Sequence, residues 1–203
     1  MATVFDKILT QGIRAGQVPA RTETARTWYR DTASKIGSLQ PLQLTKSDPE
    51  RLKSQIRIGD MYLYHYDPKH KATLPYYDRF PLVFPFKKVP RGWLGINMHY
   101  LPLNYRAMLM DSLYDLTTNQ RFDEQTRLRL NYDLLNGASR FRWFKPTVHR
   151  YLISKVRSRL VYIHPSEWDI ALFLPLERFY TDTKRIKKQQ VYRDSRSIIR
   201  GLQ

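Results

Sequence analysis

From Ile56 onward the distribution of apolar and polar residues carries a strand signature. In IRIGDMYLYHYD, Met61, Leu63 and His65 alternate with Tyr62, Tyr64 and Tyr66, and Asp67-Pro68 ends the run in a turn. RFPLVFPF follows as a nearly continuous apolar segment, with Leu82, Val83 and Phe84 expected in the core. Pro81 and Pro85 bring no N–H to a ladder, so this run is expected at a sheet edge or at bulges. RGWLGINMHYL, entered through Pro90-Arg91-Gly92, supplies a third strand and completes an antiparallel meander. The period then lengthens. Asn104 is placed to cap YRAMLMDSLYDLTT, where Tyr105, Met108, Leu109, Leu113 and Leu116 share a face; Asp123 is placed to cap EQTRLRLNYDLLN, with Gly137 as its stop.

In KPTVHRYLISKVRSR, Pro146 sits in a first turn and Val148, Leu152 and Val156 recur every four residues, which predicts an amphipathic basic helix. RLVYIHP reads as a returning strand, SEWDIALFLP as a short helix and LERFY as a last ordered turn. Residues 1–55 hold only short apolar clusters between Gly, Pro, Thr and Ser, and predict an extended N-terminal arm with brief helices, one of them starting at Pro49. Residues 181–203 are basic with little apolar content, and predict a C-terminal tail that is mobile in isolation. The core domain, 56–180, is then expected to be α+β: a small SH3-like, partly open antiparallel β-barrel with a helical insertion.

Charge changes what this domain is expected to meet. The 203 residues include 35 Lys and Arg against 18 Asp and Glu, a formal net charge of +17, so a polyanion is the natural partner. Contacts with acidic protein neighbours are the competing use of such a surplus. The excess is uneven. SRFRWFKPTVHRYLISKVRSR, residues 139–159, carries Arg140, Arg142, Lys145, Arg150, Lys155, Arg157 and Arg159 with no acid, and the tail adds Lys184, Arg185, Lys187 and Lys188. These are the candidate phosphate contacts. Tyr76, Tyr77 and Trp143 are the candidate base-stacking rings, because each stands beside a basic stretch and a Pro-containing loop or helix start. The alternative for the rings is core packing, with the charges forming a solvated face.

Other chemistry finds little support. There is no cysteine, hence no disulfide and no thiolate metal site. The five histidines are scattered, no phosphate-cradling glycine loop or nucleophile elbow occurs, and no metal or cofactor is expected. Asp60, Asp67 and Lys69 imitate a nuclease pattern, but Pro68 breaks it and Asp67 suits a turn. Asp78 beside Arg79 reads as a loop ion pair. No stretch approaches the length of a membrane span and the start lacks a signal-peptide core, so the expected setting is cytosolic.

The segments GDMYLYHYDPKHKATLPYYDRFPLVFPF, GWLGINMHYLP, HRYLISKVRSRLVYI and WDIALFLPLERF resemble a family of virion-associated proteins of T-even-like contractile-tailed bacteriophages, the DNA end protector proteins. The resemblance covers about residues 56–180. It implies a non-catalytic virion protein, present in host cytoplasm during assembly, that binds the ends of packaged linear DNA near the portal and shields them from exonuclease. The alternative it leaves open is a structural neck, tail or baseplate component whose arm threads between other virion proteins, in a symmetric oligomeric assembly.

Overall fold

The computed structural model describes residues 4–17, 24–25, 27–28, 31–32, 41, 49–102, 105–106, 109–110, 113, 121, 123–140 and 142–201. Four helices are delimited: α1 (Val4–Arg14), α2 (Glu124–Arg140), α3 (Trp168–Phe173) and α4 (Lys188–Arg200). Among the described residues nine strands accompany them: β1 (Leu52–Lys53), β2 (Met61–Leu63), β3 (Tyr77–Asp78), β4 (Leu82–Val89), β5 (Gly92–Asn97), β6 (Val148–Leu152), β7 (Leu160–Ile163), β8 (Phe179–Tyr180) and β9 (Arg185–Ile186).

Six strands form one antiparallel sheet in the order β1-β7-β2-β4-β5-β6, and β3-β8-β9 form a second. The fold is α+β as expected, but the sheet is open. Its edge strands β1 and β6 do not pair with each other, so the sheet does not close into a barrel. The meander β2-β4-β5 is present, and β4 runs through the middle of the sheet rather than along an edge. Its proline is accommodated the other way: the register with β5 shifts between Pro85 and Lys87, a bulge where the missing donor is harmless.

Alternation along β2 separates two cores. Met61 and Leu63 join the main cluster with Leu82, Phe84, Ile96 and Trp168, on the face covered by the helices. Tyr62, Tyr64 and Tyr66 join Val83, Trp93, Tyr151 and Leu160 on the opposite face. There Tyr64 meets Tyr66, Trp93 and Tyr151 edge-on, with ring centroids 6.3, 5.8 and 5.7 Å away. Leu82, Val83 and Phe84 are fully buried, as read from the sequence.

Several helix expectations change. Asp123 does cap α2, its Oδ1 accepting the Thr126 N–H at 2.7 Å, but Gly137 lies inside that helix, which continues to Arg140. Residues 105, 106, 109, 110 and 113 are helical; Asn104, Met108 and Leu116 lie outside the described residues. The basic helix predicted over 145–159 is a 3₁₀ turn (Arg142–Thr147), strand β6 and a second 3₁₀ turn (Ile153–Lys155). Five consecutive pairs, from Gly92↔Leu152 to Ile96↔Val148, zip β6 to β5, and this pairing overrides a four-residue apolar spacing that fitted a helix equally well. The basic tail contributes a helix to the fold. α4 buries Val191, Ser195 and Ile199, and Gly201 at φ 75° ends it. At the other end of the chain, α1 is an 11-residue helix with Ile8 buried, in contact with α3.

Two buried polar hubs hold these pieces in place. Arg106 sends Nε to Leu101 O (2.7 Å), Nη1 to Leu172 O (2.9 Å), and Nη2 to His99 O (3.1 Å), Glu177 Oε1 (2.8 Å) and Tyr192 Oη (2.5 Å). Burial alone would raise the Glu177 pKa; the Arg106 guanidinium overcomes that and holds it down at about 2. The second hub is Asp78, which is no loop ion pair. Its Oδ1 accepts from Phe80 N (3.1 Å) and Arg178 N (3.3 Å), and its Oδ2 from Asn97 Nδ2 (3.3 Å), with His99 Nδ1 at 2.6 Å. Arg79 instead directs its Nε to His65 Nε2 (3.2 Å) and lies over the Tyr180 ring.

Candidate nucleic-acid interface

The β4–β5 hairpin turns at Pro90-Arg91, and its tip organises one end of the large sheet. Gly92 is required there: a Cβ would stand 1.8 Å from Tyr151 O on β6. Arg91 adopts φ 64°, a left-handed conformation that only glycine takes freely. Its carbonyl accepts the Ile153 N–H at 3.0 Å, and Arg150 Nη2 donates to Pro90 O at 3.0 Å. Two guanidinium groups thereby gather at one turn.

Three clefts surround this end of the molecule and share lining residues. The first, about 580 Å³, has aromatic walls from Tyr66, Tyr76, Tyr77, Tyr100, His149 and Tyr151, with Lys69, His70, Arg91 and Arg150 among the remaining lining. The second, about 570 Å³, meets it at Arg91 and is lined by Lys53, Lys88 and Arg159 beside Ile56, Trp93 and Ile153. The third, about 640 Å³, meets the first at Tyr66 and Tyr77 and carries Lys71, Arg79, Arg157, Lys184 and Arg185. Together eleven lysines and arginines line the clefts against three aspartates. Of those three, Asp78 is buried within its hub and Asp67 is paired with Lys71 Nζ (3.2 Å) and Arg157 Nη2 (3.5 Å). Partial burial would raise the Asp67 pKa, yet these two cations lower it. Tied into ion pairs at a turn, Asp67 has the environment of a structural carboxylate.

The residues anticipated from the sequence are scattered among these surfaces. Arg150 with Tyr76 and Tyr77 line the first cleft, Arg159 the second, and Arg157, Lys184 and Arg185 the third. Arg140 and Lys145 are exposed on α2 and the following 3₁₀ turn, away from the clefts' linings. The side chains of Arg142 and Trp143 lie outside the described residues. Lys155 is half-buried, and its carbonyl accepts the Asp67 N–H at 3.0 Å. Lys187 flanks α4, and Lys188 Nζ is 3.8 Å from Glu177 Oε2. Sequence reasoning passed over Arg91, Lys88, Lys53, Arg79 and Lys71, which reach the clefts only because the strands pair as they do. An arginine in a two-residue hairpin between proline and glycine was the one local signal available.

The ring environments differ. Tyr76 packs against Tyr100 and Phe179, with centroids 5.9 and 6.1 Å away; burial first, then Asp194, pushes its hydroxyl up to about 12. Tyr77 lies on β3 and is raised by burial as well. His149 packs on Tyr100 at 4.2 Å between centroids with the rings tilted by 39°, and burial lowers its pKa to about 4, so the ring is neutral at pH 7. Its Nε2 lies 3.1 Å from Pro146 O, an atom that only accepts, so Nε2 bears the proton and Nδ1 the lone pair.

Among the described residues, no helix is long and apolar enough to cross a membrane, and no three His, Cys, Asp or Glu side chains gather as a metal site would need. No curated protein and no solved structure matches the chain. A family model does, over nearly the whole length: residues 3–195 match the Phage T4 terminal DNA protecting protein, and the chain belongs to that family.

Proposed function

We propose that the protein binds the ends of linear phage DNA without catalysis, through phosphate contacts along the cation-lined clefts, and thereby blocks exonuclease access in the virion and after genome delivery. The observation that carries this reading is the continuity of the three clefts. Arg91 joins the first to the second and Tyr66 and Tyr77 join it to the third, so eleven cations follow one another with little opposing charge. The family description supplies DNA protection, and the surface supplies a phosphate-complementary path for it. Arg150, Arg157, Arg159, Lys184 and Arg185 carry the phosphates in this reading, with Arg140, Arg142, Lys145, Lys155, Lys187 and Lys188 contributing to the wider field.

The test is equilibrium binding of duplexes with free ends across about 50 to 200 mM salt, where several phosphate contacts weaken affinity by orders of magnitude. Alanine at Arg157, Lys184 and Arg185 together is expected to flatten the salt slope and to shorten protection against a processive exonuclease. Binding insensitive to salt, together with nuclease-resistant association with portal, neck, tail or baseplate proteins, would instead favour the assembly role.

A further inference from the structure

We infer that the first cleft is a receptor for one unpaired nucleotide at the DNA terminus, an assignment that rests on the end-binding reading and sharpens it. A concavity of about 580 Å³ is far too small for a duplex but has the size of a small-molecule site. Its position is central. The cation-lined clefts on either side would hold the phosphates of the paired region, leaving the aromatic cleft where the helix stops.

Its chemistry suits a nucleobase attached to a phosphate. Tyr66, Tyr100 and Tyr151 are buried and form the packed floor of the wall, which leaves half-buried Tyr76 and Tyr77 as the rings for a base to stack on. His149, neutral and with its Nδ1 lone pair unpartnered among the described residues, can accept an N–H from a base edge. Lys69, Arg91 and Arg150 can meet the phosphate. Asp78 is the carboxylate in the lining, and all its oxygens are already engaged by backbone N–H groups, Asn97 and His99, so it opposes an incoming anion little.

Arg91 gives the second line of argument. A hairpin position at φ 64° is ordinarily filled by glycine or asparagine, and here it holds a long cation with no side-chain partner among the described residues. Strain kept at the junction of two clefts indicates that the side chain is needed for something beyond the turn.

The full-length protein is titrated with duplexes bearing one free end: blunt, with a two-nucleotide 3′ or 5′ overhang, or with the same overhang carrying an abasic terminal residue. A covalently closed dumbbell is the control without ends. At least one overhang polarity is expected to bind more tightly than its abasic counterpart by about 5- to 150-fold, the range base-on-ring stacking spans. That difference is expected to vanish in Tyr77→Leu and, independently, in Leu74→Trp, which fills the cleft from its exposed lip. If ends beat the dumbbell but removal of the terminal base changes nothing in either polarity, the nucleotide receptor is wrong and end binding stands. Discrimination that survives both substitutions would place the base elsewhere and overturn the assignment. A dumbbell bound as tightly as open ends would refute the end-binding reading itself. Should one variant fail to fold, the other and the abasic comparison still decide.

Discussion

Replacing Arg91 by glycine separates what this residue does for folding from what it does for binding. At φ 64° an L side chain is strained by about 1–2 kcal/mol, which glycine does not feel. Glycine's greater freedom in the unfolded chain returns about 0.5–1 kcal/mol of that gain, leaving a net stabilisation of roughly 0.5–1 kcal/mol. For a chain of 203 residues that is an increase in Tm of about 1–3 °C. The hairpin needs nothing else from the side chain, since its bond to Ile153 N comes from the carbonyl. Binding should move the opposite way. Loss of one phosphate contact lowers the slope of log K against log salt by about 0.9 and weakens exposed charge-assisted binding by about 1 kcal/mol, roughly fivefold in Kd. Differential scanning calorimetry and a salt series on duplex ends read both numbers from one preparation. A variant that melts lower, or that binds ends with an unchanged slope, refutes the claim that strain at this turn is retained for a phosphate.

Four further outcomes follow from the packing. Gly92→Ala should cost about 3 kcal/mol or more in urea unfolding, because the added Cβ meets Tyr151 O at 1.8 Å and backbone cannot swing aside. Arg106→Met strands the buried Glu177 carboxylate and should cost about 3–5 kcal/mol, with Arg106→Met/Glu177→Leu recovering part of the loss. Acidification should destabilise the protein in two stages. The depressed His149 pKa removes about 3 kcal/mol as pH falls from about 6.5 to 4, a loss His149→Phe should suppress. The depressed Glu177 pKa removes a similar amount, again about 3 kcal/mol, as pH falls from about 4.5 to 2. Both groups bind more protons unfolded than folded in those windows, so the sign is the same. Finally, truncation after Lys187 should lower Tm and not merely weaken DNA binding, since it uncovers Tyr100 and Phe179, which Val191 covers, and takes Tyr192 from Glu177.

The sheet was legible where one period dominated. Met61, Tyr62, Leu63 and Tyr64 sort to opposite faces as their alternation requires, and the Leu82-Val83-Phe84 run lies in the core because apolar β-formers flanked by turn residues have few alternatives. Asp123 announced a helix start through its carboxylate. Val148, Leu152 and Val156 misled because a four-residue spacing also occurs in a strand followed by a turn, and the deciding fact, pairing with Gly92–Ile96, is non-local. α4 could have been found: Val191, Ser195 and Ile199 stand four apart and Gly201 supplies the stop, a signal masked by the density of charge. The Asp78 hub could not, as its partners come from positions 80, 97, 99 and 178. For the interface, the sign of the charge was plain from composition, whereas its track depends on which strand ends the topology brings together.

The Arg106 guanidinium ties residues 99, 101 and 172 to Glu177 and Tyr192. A chain lacking residues from 177 onward could bury this cation only without its counterion, so the fold around Arg106 and the segment that carries Glu177 and Tyr192 stand or fall together.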